Sequence, residues 1–180
     1  MMAKKSKSAM PLTDVIRAWR DDQDWTDEIT IDEEEMTSSM SLSYNEEGQI
    51  YRAYVEAEEK KQWLKVFIYG PIGIPANRYA EACQLVNHMN LIDGFGRICA
   101  MKDGQFQFRA VFDVEGGQAV PEMITNMITQ GLSRFTNWAG EMAQVIFAGK
   151  TTDQILKELD EAEENESGSS EGGDGVPDKL

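Results

Sequence analysis

The stretch NRYAEACQLVNHMNLIDGFGRICAMKDGQFQFRAVFDV, Asn77 to Val114, reads as a helix followed by a tight β-hairpin. Tyr79, Ala82, Cys83, Val86, Met89 and Asn90 recur at steps of three and four, as residues on one helix face do. Gly94 and Gly96 stop that helix, where the chain must leave the α region. Two strand-like runs follow, Arg97–Met101 and Gln105–Val114, joined by Lys102-Asp103-Gly104. Asp103-Gly104 at the junction predicts a type I′ turn, whose two central positions need positive φ. In the second run Phe106, Phe108, Ala110 and Phe112 point one way, so that face needs a helix to cover it.

Upstream, Pro11 suits the first turn of a short helix from Met10 to Arg20, with Leu12, Val15, Ile16 and Trp19 on one face. Asp21 to Glu35 is acidic, and its large apolar residues are Trp25, Ile29 and Ile31; a short strand or a loop against the core is expected there. Three strand signals follow. Ser38–Tyr44 alternates with Met40, Leu42 and Tyr44 on one face, and Ile50–Glu56 with Tyr51, Ala53 and Val55 on one face. The third, Lys61–Tyr69, is apolar on both sides: Leu64, Val66 and Ile68 lie opposite Trp63, Phe67 and Tyr69. It is expected at the centre of the sheet or at an interface. Gly70-Pro71-Ile72-Gly73-Ile74-Pro75 reads as a breaker before the helix.

Downstream, one long helix is expected from Val120 or Pro121 to about Gly149, with an apolar stripe through Ile124, Met127, Ile128, Leu132, Phe135, Trp138, Met142, Val145 and Ile146. At this length it would span about 40 Å, and Gly131 and Gly140 weaken it. Residues 151–165 read as a C-terminal helix. The expected organisation is a disordered basic arm at 1–9, one domain at 10–150, that helix, and a disordered acidic tail at 166–180. The fold class is α+β: an antiparallel sheet of about five strands in the order α-β-β-β-α-β-β-α.

The net charge of −15 is local. Asp21–Glu35 holds nine acids and no base, Glu158–Asp178 holds nine more, and Met36–Lys157 is nearly balanced with thirteen acids and eleven bases. This argues against a nucleic acid partner, which requires a basic surface. No run of eighteen apolar residues exists, so no membrane span is expected. No apolar run follows Lys4, Lys5 and Lys7, and Cys83 and Cys99 read as reduced, small core residues. A cytoplasmic location is the expectation.

Leu85-Val86-Asn87-His88-Met89-Asn90, then Gly96-Arg97-Ile98, then Asp103-Gly104, then the aromatic strand and the long helix, together resemble the YbjN-like family of bacterial proteins. The resemblance covers about Met10 to Lys150 and rests on order and spacing. Asn87 and Asn90 match the family's two asparagines three apart, and Gly96 matches the residue opening the next strand. It implies the fold of type III secretion chaperones and a regulatory or binding role with no known chemistry. Chaperones of that fold form dimers and hold extended partner segments on their sheets. The acidic insert after the first helix and the acidic tail depart from the family pattern.

No catalytic or metal constellation is legible. His88 is the single histidine, so neither a triad nor a histidine cluster can be assembled from several. Asp32-Glu33-Glu34-Glu35 lacks the alternation and glycine of an EF-hand loop. The glycines form neither GxGxxG nor a Walker sequence. Asn87 and Asn90 read first as structural, satisfying the helix end or the turn before the strand. The expected function is therefore a non-enzymatic, cofactor-free protein-binding module, a homodimer that presents an apolar sheet and helix face to a polypeptide partner. Trp63, Phe67 and Tyr69 are the expected face, with Trp138 and Met142 next; Asn87, Asn90, Gly96, Asp103 and Gly104 form the structural motif. The alternative is a subunit of a larger assembly docked through its acidic segments.

Overall fold

A computed structural model describes residues 10–169 except Glu47 and Asp93; the expected basic arm at 1–9 and residues 170–180 of the expected tail lie outside the described residues. Helix α1 (Pro11–Asp22) begins with proline in its first turn and has no side-chain cap from Met10. Its cap comes from far along the chain. The buried Glu59 carboxylate accepts Leu12 N at 3.2 Å and Thr13 N at 2.8 Å. Such an acid satisfies orphan N–H groups and complements the positive end of the helix dipole. Thr13 Oγ1 donates to the same carboxylate at 3.0 Å and lies 2.9 Å from Ser38 Oγ.

Six strands follow: β1 (Ile29–Asp32), β2 (Thr37–Glu46), β3 (Gln49–Glu58), β4 (Trp63–Gly73), β5 (Arg97–Ala100) and β6 (Gln105–Asp113). They form one antiparallel sheet in the order β1-β2-β3-β4-β6-β5. The count of about five is corrected to six by β1, which lies in the acidic insert. There Ile29 packs against the core, and β1 pairs Ile29 with Met40 through to Asp32 with Thr37. The breaker reading of Gly70–Gly73 is also corrected. β4 continues through it with a register shift between Tyr69 and Gly73, where Pro71 needs no ladder N–H.

The hairpin between β5 and β6 is present, but its turn is not type I′. Gly104 takes φ +84° and no other residue of the turn has positive φ; Gly104 N donates to Met101 O at 3.0 Å and Met101 N to Gln105 O at 2.8 Å. This is a type I turn followed by a left-handed glycine, the three-residue hairpin with a G1 bulge. Ile74 N donates to Gly104 O at 2.7 Å, fastening the tip to the end of β4.

All helices lie on one side of the sheet. α2 (Tyr79–Ile92) buries Ala82, Leu85, Val86 and Met89. The expected single helix after β6 is two, α3 (Pro121–Asn137) and α4 (Ala139–Ile146), broken at Trp138 with φ −106° and ψ 9°. The break turns Met142, Val145 and Ile146 back into the core. α3 approaches the sheet closely at Gly131, where a Cβ would sit 2.6 Å from both Ile68 Cδ1 and Phe108 Cδ1. α5 (Thr152–Ser169) extends past the expected end at 165. Between the layers lie Ile16, Trp19, Met40, Val55, Leu64, Val66, Ile68, Phe106, Phe108, Ile124, Met127 and Phe135.

Candidate functional site

Strand alternation decides what the other side of the sheet carries. With Leu64, Val66 and Ile68 fully buried beneath the helices, Trp63, Lys65, Phe67 and Tyr69 point the opposite way. No described element covers that face, and its aromatic rings are only half-buried. Register pairing arranges it in rows. One row reads Ser41, Tyr54, Phe67, Arg109, Arg97; the next reads Ser43, Arg52, Tyr69, Gln107, Cys99. Two lower rows read Ser39, Glu56, Lys65, Val111 and Thr37, Glu58, Trp63, Asp113.

Three of the rings, Trp63, Phe67 and Tyr69, have cations over them. Lys61 Nζ lies 4.8 Å and Lys65 Nζ 5.8 Å from the Trp63 ring centroid, Arg109 lies 5.4 Å from Phe67, and Arg52 lies 5.7 Å from Tyr69. Tyr54 meets Tyr69 edge-on at 5.7 Å. The long side chains thus cover part of the apolar surface while their charged heads stay wet. Glu58 receives Lys61 and Lys65, each at 2.7 Å, and those hydrogen bonds hold its carboxyl below the usual carboxylate range. The lower two rows mix signs, with Lys65 among Glu56, Glu58 and Asp113, whereas the charged residues paired in the upper two rows are Arg52, Arg109 and Arg97, and Asp27 lines the groove beside Arg52.

The expected site residues therefore divide. Trp63, Phe67 and Tyr69 share the open face. Trp138 and Met142 lie on the helical side, separated from them by the sheet. Met142 is 2% exposed and packs into the core, so it is corrected from surface to core. Trp138 stands edge-on to His88 at 6.0 Å, and both line a groove with Ile92, Leu156 and Leu159. Tyr54, Arg52, Arg109 and Lys65 belong to the open face but were not singled out from the sequence. The signal was present: Arg52 and Tyr54 alternate with Tyr51, Ala53 and Val55, and so must face away from them.

Of the motif residues, Asn90 binds Ile98 and accepts from Arg134, whereas Asn87 is exposed on α2. Gly96 has φ +64° and no room for a Cβ beside the Phe108 ring. Asp103 Oδ1 accepts Gln105 N at 3.3 Å. Among the described residues no group of three His, Cys, Asp or Glu could hold a metal, and no helix is long and apolar enough to cross a membrane.

The edges of the sheet differ. At β5, α2 side chains occupy the outer backbone groups: Asn90 pairs with Ile98, and Tyr79 Oη donates to Ala100 O at 3.1 Å. At the other edge, β1 pairs with β2 no further than Met40. Beyond it opens a groove of about 510 Å³ lined by Trp25, Asp27, Ser41, Leu42, Ser43, Arg52 and Tyr54, continuous with the open face.

The family YbjN, described as "Putative bacterial sensory transduction regulator", matches residues 13–143. No curated protein matches the chain. Among solved structures, a chain of the HopA1-SchA chaperone-effector complex superposes with a TM-score of 0.52 at 6% identity, covering 72% of this chain and 93% of that one. This similarity is one of fold. The crystal structure of YbjN from E. coli, described as "a putative transcription regulator", gives a TM-score of 0.47 at 11% identity, covering 79% of this chain and 93% of that one.

Proposed function

We propose, from the premise that this chain belongs to the YbjN family, that it is a non-enzymatic, cytoplasmic protein-binding module whose open sheet face receives a polypeptide segment. The observation that carries this reading is the uncovered cluster of Tyr54, Phe67 and Tyr69, from two adjacent rows, with Arg109 over Phe67 and Arg52 over Tyr69. Rings of this kind offer large contact area at small entropic cost, and arginine with aromatic residues is enriched where proteins bind one another. The chaperone-effector complex with the same fold supports a polypeptide as the class of ligand. A homodimer belongs to the same proposal.

The test places a photo-crosslinking residue at Val111, which is 50% exposed on the open face, and separately at Gln130 on the outer side of α3, in cells. A discrete polypeptide adduct from position 111 and none from 130 is the expected result. Equal adducts from both, or none from 111, overturn the reading. Light scattering on the same material gives the oligomeric state.

A further inference from the structure

We propose that the groove between the end of α2 and α5, on the helical side of the sheet, docks a basic amphipathic helix of a partner protein. It is a second surface, separated from the open face by the sheet, and does not rest on the reading of that face.

The walls favour a helix. α5 runs alongside α2 in the same direction: Thr152 N donates to Glu81 Oε2 at 2.8 Å near the start of α2, and Leu156 and Leu159 stand beside His88 and Ile92 near its end. Trp138, at the break between α3 and α4, lies edge-on to His88 and completes the floor of a groove of about 480 Å³. The walls present residues three or four apart, namely His88 and Ile92, Leu156 and Leu159, Trp138 and Glu141. Ridges at that spacing accept the side chains of another helix. No strand residue lines the groove among the described residues, so an extended segment would find no row of backbone partners there.

Apolar surface is left uncovered at this place. Leu85, Val86 and Met89 of α2 are buried, but Ile92 on its last turn is 62% exposed and Leu91 beside it 78%. Trp138, Leu156 and Leu159 are half-buried.

Charge selects the occupant. Among the described residues, the acids lining the groove are Glu141 from α4 and Asp160 from α5, no lysine or arginine joins them, and neither acid forms an ion pair. The nearby cations serve other acids: Lys150 meets Glu158 at 2.6 Å and Lys157 meets Glu161 at 3.5 Å. An apolar floor with acids at its rim fits a helix with leucine-like residues on one face and lysine or arginine flanking them. The net charge of −15 steers such a helix in and repels a second copy of this chain. The α3 residue in the groove is Asn137, about 10 Å along the axis from Gln130, so an occupant here and the crosslinking control are separate.

His88 is the single histidine of the chain, so its ring protons give one set of signals in proton NMR and report on the groove directly. The probe is a synthetic peptide of about 18 leucines and lysines, long enough to form a helix, with leucine on one face. A scrambled peptide of the same composition controls for charge alone. Both are titrated into the full chain at constant pH and about 0.15 M salt. The amphipathic peptide is expected to shift the His88 signals and saturate at one peptide per chain, and the scrambled peptide to leave them in place. Ile92→Lys, at an exposed position, should weaken binding about tenfold, whereas Val111→Lys makes the same exchange on the open face and should leave it unchanged. E141Q/D160N should weaken it several-fold. Absence of a shift with the amphipathic peptide overturns the proposal, as does an equal shift with the scrambled one or equal weakening by the two lysine substitutions. His88 signals that shift with protein concentration alone overturn it too, and assign the groove to a second copy. Each of these failures leaves the open-face reading standing, because crosslinking at Val111 reports the other side of the sheet.

Discussion

The side-chain amide of Asn90 pairs with the backbone of Ile98 as a neighbouring strand would. Ile98 N donates to Asn90 Oδ1 at 2.9 Å, and Asn90 Nδ2 donates to Ile98 O at 2.8 Å. The buried Arg134 joins them, donating to Asn90 Oδ1, Met89 O and Phe95 O, each at 3.1 Å. One amide thus closes a sheet edge, and one guanidinium binds the end of α2 to α3. Asn90→Leu leaves both Ile98 groups and an arginine donor unsatisfied, and is expected to cost about 2–4 kcal/mol. Asn90→Asp keeps the acceptor and loses the donor to Ile98 O, so its loss should be smaller. Urea unfolding of the three proteins measures the order; a neutral Asn90→Leu would contradict it.

Glu59 is expected to matter as much as a core residue. Glu59→Ala removes the acceptor for Leu12 N, Thr13 N and Thr13 Oγ1, and a loss of about 2–3 kcal/mol follows from the cap and the stranded buried groups. Glu59→Gln retains one acceptor oxygen and should fall between. Thermal melts followed by circular dichroism give the ranking.

Two glycines should respond in opposite directions to alanine. At Gly131 the added methyl meets Ile68 and Phe108 at 2.6 Å, so α3 must lift from the sheet, at a cost of about 1–3 kcal/mol. At Gly140 nothing lies within 4 Å, so Gly140→Ala in the first turn of α4 should stabilise by about 0.5–1 kcal/mol. A melting temperature that falls for both would show that Gly140 has a role besides its helix position.

Burial pushes the Tyr44 phenol well above its ordinary value of 10.0. Above pH 10 the unfolded chain gives up this proton and the folded chain keeps it, so stability falls as pH rises through that range. Tyr44→Phe should flatten the alkaline decline while keeping the ring packed against Trp25, 5.4 Å away. Unfolding titrations between about pH 9 and 11 compare the two slopes.

Glu58 has the opposite sign. Its folded carboxyl is held low by Lys61 and Lys65, so its contribution is present above the ordinary carboxylate range and is lost as pH falls through the lowered value. Glu58→Gln should lose that part of the acid dependence, and the Lys61 and Lys65 heads above Trp63 should become more mobile. The Trp63 emission spectrum against pH provides the measurement.

Much of the architecture was legible because it depends on local periodicity. Alternation in Lys61–Tyr69 separates Leu64, Val66 and Ile68 from Trp63, Phe67 and Tyr69, and any strand conformation keeps those two sets on opposite faces. The family resemblance rests on the order and spacing of Leu85–Asn90, Gly96-Arg97-Ile98 and Asp103-Gly104, followed by the aromatic strand and the helical stripe after it. The turn type was not legible because Asp-Gly suits both a type I′ turn and a type I turn with a following left-handed glycine, and the folded hairpin takes the second, with Gly104 at φ +84°.

Other features required distant parts of the chain to meet. Glu59 reads as one more acid in a charged turn until folding places it over the first turn of α1, 46 residues from Thr13. The apolar stripe from Ile124 to Ile146 is continuous in sequence, but the folded chain breaks it at Trp138, and Met142 packs inward, on the side of the sheet away from Phe67 and Tyr69. The sequence by itself determined which residues share a face, since that follows from the pitch of a strand or a helix. Tertiary structure alone decided which face is covered and which stays open, because burial depends on where other elements pack and not on the residue's own backbone.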